Sequence, residues 1–556
     1  MMPAPFPSIW NLPANPVFRR HAVTRLRPLP LLVWVFVTQT LAGFGWALGF
    51  LVSLRLASGN RASLNFMSPD FRDTLADHGL EAALIAWIVV LVLQGMLLFF
   101  KGTFSVATGV AREAFEGMTD AQRLTPLPTG HKVLGQLAGL PVQETTVAGL
   151  LTIWVVPSIL LGGLPVLLVV QVYLILATSA VLHHAIGLVA GTIIQQKILA
   201  GTLSQLLVIL LHFGLPMAGY FGIGAISHLA ADSALTELFQ VHLGDRNPFE
   251  VVDTSIAWFG QPVPAAVYTW ALIMLSIGIL VAILYRRWND SGSQLLGKPG
   301  TVVAAAVLLV VTWGEFHGFT PAASRLARFL AIRVNETDMV SDHLAATLLW
   351  VPGFATVLGL LNLVAATMLA PSPIQRGLHR HAVRPRPWHD GAPAIPWLVA
   401  ICLMTSATFH GIVTPMLAGA GIPPMHPATP WLTTAAFIIP ACAWLLAIVR
   451  LGWRGAGLVA FLAGILPLLL AALVAVTTGD PITLARWIIA ISAPVLPMFA
   501  WLSGLDDQNG SLSVLLLVPS QVSLALHAGF IAWLAWRKPS AKVLSPTLQS
   551  SADPAC

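Results

Sequence analysis

The chain has 556 residues, of which 56% are hydrophobic and only 9% charged, with a mean hydropathy of +0.81. So few charges could not cover the surface of a soluble protein of this size, and apolar runs long enough to cross a bilayer recur throughout. The formal net charge of +6 therefore reads as an excess of Lys and Arg in cytoplasmic loops, not as a nucleic-acid surface. The expected fold class is an all-α polytopic integral membrane protein with about 12 to 13 transmembrane helices. Its partners are then the lipid bilayer and other proteins, with no nucleic acid among them. The three cysteines, Cys402, Cys442 and Cys556, offer neither a disulfide framework nor a Cys-x-x-Cys metal pattern.

Residues 1 to 28 are Pro-rich and basic, and Arg19, Arg20, Arg25 and Arg27 should hold this end in the cytoplasm. The span that follows, about Leu29 to Leu54, is too long for the apolar core of a cleavable signal. An outward loop, Arg55 to Gly79, carries Asp70, Asp73 and Asp77 near its end. A second span, about Glu81 to Phe100, returns the chain to the cytoplasm. There follows the longest polar interruption of the first half, Arg112 to Glu144. Thr125-Pro126-Leu127-Pro128 divides it, and a residue before proline is pushed out of the helical region. The expected form is a short helix, a rigid kink at Pro126, and a second short helix lying along the membrane face.

Further spans are expected at about Val142 to Leu161, Val166 to Ile194, Ala200 to Phe221 and Ala265 to Leu284. An outward loop, 223 to 262, precedes the last of these. Tyr285-Arg286-Arg287-Trp288 anchors its end at the cytoplasmic face. These six spans form one membrane domain, residues 29–290. A Gly/Pro linker, 291–300, leads to a second membrane domain, 301–538, and a polar tail, 539–556. The second domain should span at Thr301 to Trp313, His343 to Leu369, Pro396 to Ala418, Trp431 to Ile448, Gly455 to Val476, Trp487 to Leu502 and Ser513 to Trp536. The loop 372–395 is the most basic and is expected in the cytoplasm. Thirteen spans would leave the C-terminus outside, against Arg537-Lys538; Trp487 to Leu502, with Pro494 and Pro497, is the candidate that fails to cross.

The polar stretch resembles the cytoplasmic loop of type-2 ABC exporter permeases. Arg112-Glu113, Gly117, Asp120, Arg123, Thr125-Pro126-Leu127, Gly135, Gly139 and Pro141 stand where that family has its Arg-Glu, Gly, Asp, Arg-x-Thr-Pro-Leu, Gly-Lys and Gly-x-Pro. Asn15-Pro16, followed by Arg19 and Arg20, is similar to the opening of the same family before its first membrane helix. Two positions depart from the pattern: Gln136 replaces the usual Lys, and His21 replaces the usual acidic residue. The resemblance covers about residues 15–290. It implies a permease-like six-helix unit of an exporter in the cytoplasmic (inner) membrane. That unit would move a substrate with ATP hydrolysed by a separate ATP-binding subunit, alone or beside a second permease copy. The short cytoplasmic helices would dock on that subunit, with Arg112, Glu113 and Arg123 as candidates for pairing across the contact. ATP and Mg²⁺ would be held by the partner; no cofactor, metal or catalytic residue is expected on this chain.

Other polar features invite a different chemistry. Gly292-Ser-Gln-Leu-Leu-Gly297-Lys298 matches a phosphate loop up to the lysine, but Pro299 stands where a hydroxyl should hold Mg²⁺, and no strand precedes it. His183 and His184 lie inside a span; adjacent residues on a helix face different ways, so they cannot ligate a metal as i, i+4 partners would. With Glu315 and His317 at the end of the seventh span, they form a candidate intramembrane polar site, since ionisable groups at membrane depth are costly. Asp70 and Asp73 support an alternative, a membrane glycosyltransferase-like enzyme using outward-loop carboxylates. A secondary carrier would need paired intramembrane acids, and the spans hold almost none.

Overall fold

A computed structural model describes residues 9–57, 69–194, 196–214, 228–243, 255–259, 261–290, 293–315, 365, 368–369, 386–390 and 392–419. The protein is a helical, multi-pass membrane protein. Five described helices are long and apolar enough to cross a bilayer: Pro28–Leu56, Asp73–Phe115, Val142–Gly162, Val166–Ile193 and Ala265–Asn289. The expected spans from His343 to Leu369 and from Trp431 onward, the tail, and most of the basic loop lie outside the described residues.

The chain divides into two units. The first begins with a single turn at Ile9–Ala14 and a short helix, α1 (Pro16–Arg25), then α2 (Pro28–Ala57) and α3 (Pro69–Gly95). Asp70, Asp73 and Asp77 therefore belong to α3 and not to a loop. Through a π-helical segment, Met96–Gly102, α3 runs directly into α4 (Thr103–Phe115). The combined helix, Asp73–Phe115, has 43 residues, about 65 Å at 1.5 Å per residue, twice the hydrocarbon thickness. This corrects the expectation that the second span closes near Phe100. The helix continues because its far half is buried against two others, α9 (Val166–Ile193) and α10 (Lys197–Ile209).

Between them run α5 (Met118–Leu124), α6 (Thr129–Gly139), α7 (Val142–Leu151) and α8 (Val155–Gly162). The expected outward loop before the last span of this unit contains α11 (Asp232–Leu243) and a small hairpin, β1 (Ser255–Trp258) and β2 (Gln261–Pro264), paired antiparallel with Trp258 opposite Gln261. The last helix of the unit is α12 (Ala265–Asn289).

Small residues set the helix crossings. A Cβ on Gly187 or Gly191 of α9 would stand 2.7 and 2.6 Å from the carbonyl oxygens of Thr103 and Ala107. Backbones in membranes pack this closely only where the side chain is absent. Elsewhere α2 buries Ala42, Trp46, Phe50 and Leu54 against Ala82, Ala83, Ala86 and Val90 of α3. The Trp46 indole donates to Ser158 Oγ (2.8 Å), which satisfies its one polar atom inside that cluster.

In the second unit, α13 (Gly297–Glu315) and α14 (Ile395–Gly419) are described. Residues 297–300, expected as part of a linker, form the first turn of α13, where Pro299 suits an N-terminal position that needs no donor.

Candidate functional site

The polar stretch folds back onto the N-terminus. Asn15 caps α1: its Oδ1 accepts from the backbone N–H of Val17 (3.0 Å) and Phe18 (3.4 Å), and Pro16 takes the first helical position. The same side chain donates through Nδ2 to the carbonyl of His131 on α6 (2.7 Å). α1 and α6 lie against each other because Gly135 and Gly139 have no side chain there. A Cβ on Gly135 would meet Val17 Cβ at 2.7 Å, and one on Gly139 would meet His21 Cβ at 3.0 Å.

Glu113 sits at the centre of this junction and is buried. Arg20 pairs with its Oε1, and His21 Nε2 lies 3.5 Å from the same oxygen. Its Oε2 accepts from Gln136 Nε2 (2.6 Å) and Gln122 Nε2 (3.2 Å). One carboxylate thus ties α4 to α1, α5 and α6. Burial, with Arg20 and Arg25 nearby, lowers the pKa of His21 to about 4. A hydrogen bond to Gln136 opposes this shift without reversing it. His21 and Gln136, the two positions that depart from the family pattern, both face Glu113.

Arg123 faces inward as well. It pairs with Asp120, and its Nε and Nη2 donate to the carbonyls of Trp288 (3.3 Å) and Arg287 (3.1 Å) at the end of α12. A cation here satisfies carbonyls that the helix leaves open. Thr129 Oγ1 and Asn289 Oδ1 are also hydrogen-bonded. Between the short helices Thr125 is extended, with φ −71° and ψ 148°, and buried Lys132 donates to its carbonyl (3.0 Å). The kink at Pro126 and Leu127 is thereby fastened from below. Gly117 ends α4 in the left-handed conformation at φ 72°, where glycine carries no strain. Pro141, between α6 and α7, is buried.

The other face of the stretch is open. Arg112 and Glu116 form an exposed i, i+4 pair (2.7 Å). Phe115 and Leu124 are 83% and 89% exposed, and Asp120, Thr125 and Pro126 are exposed between and beside them. Of the three arginine and glutamate candidates for an external contact, only Arg112 points outward; Glu113 and Arg123 are engaged within the chain.

A second buried carboxylate closes the stretch. Glu144 Oε1 accepts from Ser105 Oγ (2.8 Å), and Arg25 and Lys101 stand 4.0 and 3.9 Å away. Lys101 lies 3.5 Å from the centroid of the Trp34 ring. Sequence pattern marked Arg25 only as one of the basic residues of the N-terminus, and it marked neither Lys101 nor this role of Glu144.

Deeper in the bundle, His183 and His184 separate as their adjacency requires. His184 Nε2 bonds the carbonyl of Leu98 (3.0 Å) in the π-helical turn, where the i, i+4 ladder is interrupted. His183 bonds the carbonyl of Ser179 through Nδ1 (2.6 Å) and stacks on Phe99, with His212 completing the group. Glu315 is the last residue of α13, and His317 lies outside the described residues, so the expected grouping of these four is not brought together by any described contact. Asp73 is exposed on α3, one turn after Asp70. Lys298 is buried and donates to the carbonyls of His389 (2.6 Å) and Asp390 (2.9 Å). It braces a turn of the second unit, the opposite of a lysine aimed at a phosphate. Among the described residues no three His, Cys, Asp or Glu side chains gather as metal ligands.

Compared with protein-family profiles, with curated proteins and with solved structures, the chain finds no match.

Proposed function

We propose that this chain is the membrane-spanning subunit of an exporter of the type-2 ABC class, working in the cytoplasmic membrane with its N-terminus inside. A separate subunit hydrolyses ATP and docks on the stretch from Arg112 to Glu144. The observation that carries this reading is the division of that stretch into two faces. Its inner face is bonded to α1, to α4 and to the end of α12. Its outer face presents Phe115 and Leu124, bordered by Arg112, Glu116 and Asp120. Two large exposed apolar side chains with charged residues near them in sequence are what a protein partner covers. A push on that face reaches the ends of two membrane helices through Glu113 and Arg123 without a flexible link.

The departures from the family pattern fit this reading. An acid at 21 and a lysine at 136 would bring one negative and one positive charge to Glu113. Neutral His21 and Gln136 bring neither, so the charge around the carboxylate is the same. Both are buried, so the change belongs to the internal brace and leaves the docking face untouched. Arg112 remains the one charged candidate for pairing with the ATPase. In this reading the substrate path runs beside the π-helical segment Met96–Gly102 and α9, where His183 and His212 stack with Phe99.

Purification of the tagged full chain from its own membranes in mild detergent should yield ATP hydrolysis from a co-purifying subunit. The double substitution Phe115→Ser and Leu124→Ser should remove that activity while the melting temperature of the chain stays unchanged. A wild-type preparation without ATPase activity, or a double variant that keeps it in full, contradicts the reading. The chain alone should show no nucleotide-dependent thermal shift; a shift abolished by Lys298→Ala would overturn the assignment of ATP to the partner.

A further inference from the structure

The four arginines in and just beyond α1 divide between two sides of the helix. Arg20 and Arg25 turn inward to Glu113 and Glu144. Arg19 and Arg27 are exposed, and neither side chain has a hydrogen bond or ion pair among the described residues. The sequence offers them no local counter-charge: none of the first 69 residues is Asp or Glu. Val23, one turn from Arg19 on the same face, is 76% exposed. Two residues after α1 the first membrane helix begins at Pro28, and its first turns expose Leu29, Leu32, Val33 and Phe36.

This arrangement fixes the level of α1. A span whose outward apolar face starts at Leu29 places Arg27 at the border of the hydrocarbon, and a helix joined to it by Leu26 and Arg27 lies in the headgroup layer. There an exposed valine meets the acyl boundary and exposed guanidinium groups meet phosphates. We propose that the outer face of α1, Arg19 with Val23 and Arg27 beside it, binds the headgroups of anionic phospholipids. The inward arginines hold the helix to the bundle; the outward pair holds it to the membrane. The inference does not depend on the exporter reading, since it uses only the charges of α1 and its junction with a span.

The test uses the purified full chain in a neutral detergent, with native mass spectrometry and thermal unfolding as readouts. Phosphatidylglycerol should be retained and should raise the melting temperature, whereas phosphatidylcholine should do neither. The double variant Arg19→Gln with Arg27→Gln should bind phosphatidylglycerol about 30-fold more weakly, the effect expected of two arginines near an anionic surface. Arg19→Lys with Arg27→Lys should keep most of it, which separates loss of charge from loss of fold. Equal retention of the two lipids, or unchanged phosphatidylglycerol binding by the glutamine variant, overturns the proposal. Inorganic phosphate that protects as well as the lipid would do so too, because it would make this a free-anion site.

Discussion

Glu113 and Glu144 are two buried carboxylates of one stretch, each facing an arginine of α1, yet they are held differently. Glu113 has a direct ion pair and two amide donors, so both of its oxygens are satisfied. Glu144 has one short hydrogen bond, from Ser105, and two cations at about 4 Å, while its Oε2 has no hydrogen-bond partner. Breaking a saturated buried pair strands a charge, whereas a loosely held carboxylate has less to lose. The first is therefore a rigid joint and the second a softer one. In the exporter reading, force arriving at Phe115 and Leu124 passes first through the rigid joint.

The largest effect is expected at that joint. Glu113→Ala should destabilise the protein by about 3 kcal/mol, because Arg20 is left half-buried without its partner and Gln136 loses its acceptor. Thermal unfolding in detergent measures this, and proteolysis should reach Arg19 to Arg25 once α1 is released. Arg123→Glu should cost about 1–2 kcal/mol by turning a carboxylate onto the open carbonyls at the end of α12. Charge reversal there is thus not a clean test of partner docking. Glu144→Gln should cost about 1 kcal/mol or less, since an amide oxygen can still accept from Ser105. If Glu144→Gln proves as damaging as Glu113→Ala, the contrast between the two joints is wrong.

The smallest effect concerns pH. In the folded protein the pKa of His21 is lowered to about 4 from the ordinary 6.5, so between these values the unfolded chain binds the extra proton. The contribution is fully present above pH 6.5 and is lost as pH falls towards 4. His21→Gln should flatten the fall in melting temperature across that window; an unchanged slope would show that another group causes it.

The five long spans of the first unit were legible because hydropathy over some twenty residues needs no tertiary context. The two short helices were legible because Pro126 and Pro128 punctuate them. The end of α3 was not: Lys101 and Gly102 read as the close of a span, and only packing on α9 and α10 carries the helix to Phe115. Local pattern also could not tell which charges turn inward, since Asn15 and His131 are 116 positions apart and Arg123 meets a helix end more than 160 residues later. The pairs Gly135 and Gly139, and Gly187 and Gly191, were the available signal. Small residues four apart mark a close helix crossing, and both pairs lie where this chain crosses itself.

The central claim is that the outer face of this stretch, and not its charged inner face, meets an ATP-hydrolysing subunit. Photo-crosslinking tests it most directly, with a benzoylphenylalanine probe placed in turn at Phe115, Leu124 and Gln136 in native membranes. Covalent capture of a nucleotide-binding protein from positions 115 and 124, with none from the buried position 136, is the expected result. No adduct at 115 or 124, while the same probe elsewhere on the chain captures the ATPase, would contradict the account.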